Sequence, residues 1–102
     1  MAKGYWIASV SVADPETYKK YVEGSAAAFK KYGAKFIARG GEITTLEGSP
    51  RARNVVIEFD SVETALACYK SPEYSAAKAH REPVAEADIF IMEGYTGPQP
   101  ND

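Results

Sequence analysis

Apolar positions in this chain recur with two different periods, and the stretches between them carry proline, glycine and helix-capping residues. Residues 5–12 are rich in aromatic and β-branched types and end after eight residues at a helix-start signal, which predicts a first strand. Asp14 offers an N-cap carboxylate, Pro15 has the preset φ of a first helical position, and Glu16 suits the positive end of a helix dipole. From there Tyr18, Tyr21, Val22, Ser25, Phe29 and Tyr32 recur at steps of three and four, and Lys19, Lys20, Glu23 and Lys30 fall largely elsewhere. A helix with one packed and one wet face follows, ended by Gly33.

Residues 35–39 read as a second strand, Gly40-Gly41 as a bulge or bend, and residues 42–46 as a resumption of the extended pattern. A loop composition over 47–53 precedes a third strand at 54–59, so strands two and three form a hairpin, with Arg51 and Arg53 beside its tip, solvated or, as the lesser alternative, gating a cleft. Ser61 caps a second helix with Val62, Leu66 and Tyr69 on one face; Ser71-Pro72 breaks it, because proline lacks a donor and restricts its predecessor. A new helix capped by Ser71 runs through Tyr74, Ala77 and His80 to Pro83, and residues 88–95 form a fourth strand. The predicted domain spans 1–96, followed by a flexible tail over 97–102.

The order β-α-β-β-α-β predicts the ferredoxin-like α+β fold, a four-stranded antiparallel sheet with helices on one face. By strand parity one face takes Trp6, Ala8, Val10, Val12, Val55, Ile57, Phe59, Phe90 and Met92; the other takes Tyr5, Ile7, Ser9, Val56, Glu58, Ile89, Ile91 and Glu93. Both are substantially apolar, and helices cover only one. A second copy of the chain is the expected cover for the other, giving a homodimer built sheet to sheet.

Composition narrows the class. A length of 102 residues with 45% hydrophobic and 25% charged positions suits one globular domain rather than a disordered or collagenous chain. A formal charge of −2 supplies no basic surface for nucleic acid or anionic lipid, and neither partner is expected. The single cysteine, Cys68, makes no internal disulfide and no zinc or redox pair, which fits a cytoplasmic protein. The apolar stretch near the N-terminus is too short for a signal segment, and no run approaches the ~20 residues that cross a bilayer.

Several short motifs occur together: Gly4-Tyr5-Trp6, Asp14-Pro15-Glu16 with Tyr18 and Tyr21, Arg39-Gly40-Gly41, Val56-Ile57-Glu58-Phe59, Ser71-Pro72-Glu73-Tyr74 and Glu93-Gly94-Tyr95. In that order they resemble the domain of unknown function 1330 family of the dimeric α+β barrel superfamily, over roughly residues 3–95. The resemblance implies a ferredoxin-like fold and a face-to-face dimer, and it implies no reaction. Cys68 departs from it, standing where the family often has a bulky aromatic. Cofactor-independent monooxygenases, haem-degrading enzymes and muconolactone isomerases share the superfamily, an analogy of fold alone.

The candidate chemistry is sparse. His80, the only histidine, could act as a base or an axial haem ligand, or simply stand near a helix end. Arg81 could hold a carboxylate or phenolate, or pair with Glu82, Glu86 or Asp88. Trp6, Tyr69 and Tyr74 could wall a cleft for a flat ligand or form plain core. Arg39, Glu58 and Glu93, placed by parity on the uncovered face, suggest either an acid–base pair or a salt-bridge network fixing dimer register. No metal-ligand spacing, phosphate loop or Ser-His-Asp order appears, so neither metal nor cofactor is expected; a haem site lacks most of its parts. Two readings stay open: a small-molecule-binding homodimer, with or without cofactor-independent catalysis on a small aromatic or acidic metabolite, and a non-catalytic dimeric module.

Overall fold

A computed structural model describes residues 2–101. Its elements run β1 (Gly4–Val12), α1 (Pro15–Lys31), β2 (Lys35–Arg39), β3 (Arg53–Phe59), α2 (Val62–Lys70), α3 (Pro72–Arg81) and β4 (Ala85–Glu93). The strands form one antiparallel sheet in the order β2-β3-β1-β4, with the helices on one face. This is the ferredoxin-like α+β arrangement, its second helix divided in two at Ser71-Pro72.

The punctuation acts as its chemistry requires. The Asp14 carboxylate accepts from the backbone N–H groups of Glu16 and Thr17 and from the Thr17 hydroxyl at 2.8 Å; the Thr17 hydroxyl, first, holds its pKa below the ordinary value. Gly33 follows α1 at φ +70°, where a side chain would be strained. Ser71 serves both halves of the broken helix: its hydroxyl donates to the Cys68 carbonyl at 2.7 Å and accepts from the Tyr74 N–H at 3.1 Å.

Trp6, Phe29, Phe59 and Tyr74 form the centre of the core, with Trp6 edge-on to Phe29 and Tyr74 and stacked on Phe59. The helices meet this core differently. α2 lies directly on β1, β3 and β4, while α1 leans chiefly on α3. Small residues set both close approaches: a Cβ on Gly4 would stand 2.5 Å from the Ser61 carbonyl oxygen, and one on Gly24 would stand 3.2 Å from the Ala77 Cβ. Lys31 and Glu73 pair at 2.9 Å across the α1–α3 seam.

Several sequence expectations need correction. Residues 42–46 do not resume the second strand; beyond Gly40, at φ +66°, the chain leaves β3, and residues 40–50 are exposed throughout. β4 begins at Ala85 rather than Asp88, because its ladder with β1 continues to Val12↔Ala85, and it ends at Glu93. Its parity is also reversed. Trp6 lies opposite Ile91 and Ala8 opposite Ile89, so these isoleucines face the helices while Phe90 and Met92 face outward. The packed positions of α2 are Ala65 and Cys68, and Leu66 is exposed. Arg51 is not a free tip residue: it bonds Asp88 at 3.0 Å, Glu86 at 3.3 Å and the Ser11 hydroxyl at 3.1 Å, tying the loop across β1 to β4. The expected tail includes Asp102, and the domain Met1, both outside the described residues; at the end of the domain the Tyr95 hydroxyl donates to the carbonyl of Pro98 in the tail at 2.7 Å.

The outer face keeps its apolar character with this altered cast. Ile7 and Val56 lie side by side at its centre, flanked by Phe90 and Met92, which are 52% and 56% exposed. The molecule measures 47 × 34 × 17 Å, two layers thick with a projecting loop, and its radius of gyration is 14.5 Å. A compact chain of this length would have about 13 Å.

Candidate functional site

Because α1 leans on α3, its large side chains must bridge the space to the β2–β3 end of the sheet. Tyr18, Tyr21 and Phe29 descend from α1, Trp6 and Ile57 rise from the sheet, and Phe36 closes one side edge-on to Phe29 at 5.6 Å. The bridging is incomplete. A cleft of about 160 Å³ remains among these side chains, of the order of the ~150 Å³ cavity that accommodates one benzene ring. A second groove beyond it shares Val22, Ser25, Phe29, Phe36 and Arg39, so the space reaches the surface between α1 and β2.

Two cations line the cleft. The Arg39 guanidinium lies over the Phe36 ring at 4.3 Å, and that of Arg53 over the Tyr18 ring at 5.0 Å. Among the described residues no carboxylate lines the cleft. Burial pushes the Tyr18 hydroxyl above its ordinary pKa, opposed by the charges of Arg53, Arg81 and Arg39. It therefore stays a neutral donor at physiological pH.

Arg39 arrives here through a bulge. Lys35 lies opposite Glu58, but the register shifts between Phe36 and Ala38, so Arg39 sits opposite Val55 and on the helix side. The polar network expected on the outer face does not form. Arg39 is in the cleft, Glu93 sits opposite Gly4 on the helix side of the sheet, and only Glu58 faces outward, accepting from the Tyr5 hydroxyl at 3.3 Å with Lys3 at 4.0 Å.

Of the other residues singled out, Trp6 lines the cleft and is 1% exposed. Tyr69 and Tyr74 pack against Trp6 at 5.6 and 5.0 Å, but as core behind the cleft rather than as its wall. His80 is exposed on the last turn of α3 and lines none of the described cavities. Arg81 is buried without pairing to Glu82, Glu86 or Asp88; the latter two hold Arg51, and Arg81 lies over the Tyr21 ring at 5.4 Å. The aromatic roof was visible as the packed stripe of the first helix, although nothing in the sequence marked it as a roof. Arg39 was hidden, since strict alternation cannot register a bulge, whereas Arg53 was visible beside the hairpin tip as a lesser candidate for gating a cleft.

Residues 3–95 match the family model described as domain of unknown function (DUF1330). No curated protein matches the chain. Among solved structures, the fold is similar to a protein of unknown function from Rhodopseudomonas palustris, with 20% identity, TM-score 0.71, and coverage of 94% of this chain and 85% of that one. It is also similar to a cofactor-independent oxygenase from Streptomyces nogalater, at 9% identity and TM-score 0.65, covering 97% and 96%. A dimeric ferredoxin-like protein of unknown function from Bacteroides fragilis matches at 15% identity and TM-score 0.60, covering 89% and 95%. At these identities the likeness is one of fold.

Proposed function

The chain belongs to the DUF1330 family, and from that premise we propose that it is a homodimer whose subunits each bind a small, flat, anionic molecule in the cleft beneath α1. The carrying observation is the composition of that cleft: aromatic rings around a one-ring volume, with Arg39 and Arg53 and no described carboxylate among them. Aromatic faces favour a planar guest, and guanidinium forks favour a carboxylate or phenolate on its edge. Trp6 contributes to the floor in this reading, and Tyr69 and Tyr74 brace it from behind. The site residues of the proposal are therefore Trp6, Tyr18, Phe36, Arg39 and Arg53.

Dimerisation is supported by the outer face, where Ile7, Val56, Phe90 and Met92 form an apolar surface on a slab only 17 Å thick. The Bacteroides fragilis relative of this fold is dimeric. A reducing, cytoplasmic setting belongs to the same reading, resting on a single buried thiol, Cys68; among the described residues no helix is long and apolar enough to cross a membrane.

Thermal shift with benzoate and salicylate tests the binding reading, because a ligand that binds only the folded state raises Tm. An upward shift that saturates, and that shrinks in Arg39→Ala and Arg53→Ala, is expected; no shift at millimolar concentration would defeat it. Light scattering tests the dimer. A mass near twice the 11.1 kDa of one chain is expected, and a mass near 11.1 kDa at micromolar concentration would exclude it.

A further inference from the structure

Behind the inner wall of the cleft lies a buried polar cluster with too many donors. The Tyr21 and Tyr74 hydroxyl oxygens are 2.8 Å apart, Tyr74 being fully buried and Tyr21 nearly so. Arg81, 6% exposed, lies over the Tyr21 ring at 5.4 Å with its charge also close to Tyr74, and its Nε has no partner among the described residues. No described carboxylate pairs with Arg81.

Counting hydrogen-bond capacity gives the consequence. A guanidinium only donates, and each tyrosine hydroxyl has one proton to give. Between them the two hydroxyls make one bond, so one of their protons has no acceptor in the cluster. Tyr74 is fully buried away from the cleft and Tyr21 lines it, so the arrangement in which Tyr74 donates to Tyr21 leaves the surplus proton on the member that can meet a guest, and it keeps the Tyr74 oxygen free to face the Arg81 charge. A buried positive charge and an unspent donor each cost stability unless an acceptor meets them. Burial also keeps both phenols above their ordinary pKa, so they remain donors.

Resting on the cleft reading above, we infer that the natural ligand carries a second oxygen, an acceptor that takes the Tyr21 hydroxyl proton at the inner end while the ligand's anionic group meets Arg39 and Arg53. The ligand class is thus a hydroxylated or oxo-substituted aromatic acid rather than a simple one. Tyr21 is the binding residue; Tyr74 and Arg81 are positioning residues that orient its proton.

The test compares benzoate with 3- and 4-hydroxybenzoate by calorimetric titration of the intact protein. At least one hydroxybenzoate is expected to bind about fivefold tighter than benzoate, the worth of one net hydrogen bond. Tyr21→Phe should abolish that advantage, bringing the ratio of hydroxybenzoate to benzoate affinity to about one. Tyr74→Phe should reduce the advantage, as should Arg81→Met, with partial recovery in Arg81→Lys. If Arg81→Met does not fold, the two tyrosine variants decide alone. Equal affinity for all three acids in the wild type, or an advantage that survives Tyr21→Phe, would overturn the inference with the cleft reading intact. Failure of benzoate itself to bind would fall on the cleft reading instead.

Discussion

The two ends of the helix layer are built from similar residues and come out differently. At the α2 end, Gly4 lets the Ser61 turn descend onto β1, and Phe59, Ala65 and Cys68 fill the interior, none of them lining a described cavity. At the α1 end, Gly24 and Ala77 draw α1 toward α3, away from β2 and β3. Three rings then span a gap they do not fill. Glycine placement decides which end is solid and which is hollow, more than the count of aromatic residues does.

The largest expected contrast comes from deleting a ring at each end. Phe59→Ala should cost about 3–5 kcal/mol in urea unfolding, the usual range for a buried phenylalanine. Phe36→Ala, on a side chain 40% exposed, should cost only about 1–2 kcal/mol. Equal losses would mean that the cleft end is packed as tightly as the other.

Gly4→Ala comes next. Its Cβ would meet backbone atoms of Ser61 and Val62 at 2.5–2.7 Å, which cannot yield as a side-chain tip can. A loss of about 1–3 kcal/mol is expected, the usual range for overpacking. A neutral outcome would show that the α2 seam has slack.

Alkaline titration probes the solid end by another route. Burial pushes the Cys68 thiol up to about 11. Between pH 9 and 11 the unfolded chain has lost this proton and the folded chain has kept it, so stability must fall as pH rises through that window. The tyrosines, raised in the same direction, add to the loss only above about pH 10. In Cys68→Ala the early part of the slope, from pH 9 to 10, should vanish; an unchanged slope there would mean that the thiol is solvated.

Gly24→Ala should have the smallest effect. Removing a helix glycine gains about 1 kcal/mol of propensity, and the 3.2 Å approach to Ala77 works against it. The net change should stay within about 1 kcal/mol. Its more informative readout is ligand affinity, because pushing α1 off α3 alters the cleft and leaves the α2 end untouched.

Much of this was legible in the chain. Asp14-Pro15, Gly33, Ser61 and Ser71-Pro72 encode their boundaries locally, through caps and forbidden conformations, and element order then sets the topology. Parity failed where it depended on events outside the local pattern. The β2 bulge carried Arg39 across the sheet, and β4, read as an isolated run, was placed one residue out of phase with β1. Both errors moved candidate residues to the wrong face: Arg39 and Glu93 left the outer side, and Phe90 and Met92 joined it. Arg81 was legible as a residue able to hold an anion but not as a buried one, since its burial depends on α1 lying against α3.

Trp6 offers the most direct test of the hollow end, for it is the only tryptophan in the chain and it lines the cleft. Its fluorescence, followed while benzoate is titrated into wild type and into an Arg39→Ala, Arg53→Ala double variant, reports on that site alone. A saturable change in the wild type, weakened at least tenfold in the variant, is the expected result. A flat emission through millimolar benzoate, or the same titration curve in both proteins, would contradict a cleft built for a small aromatic anion.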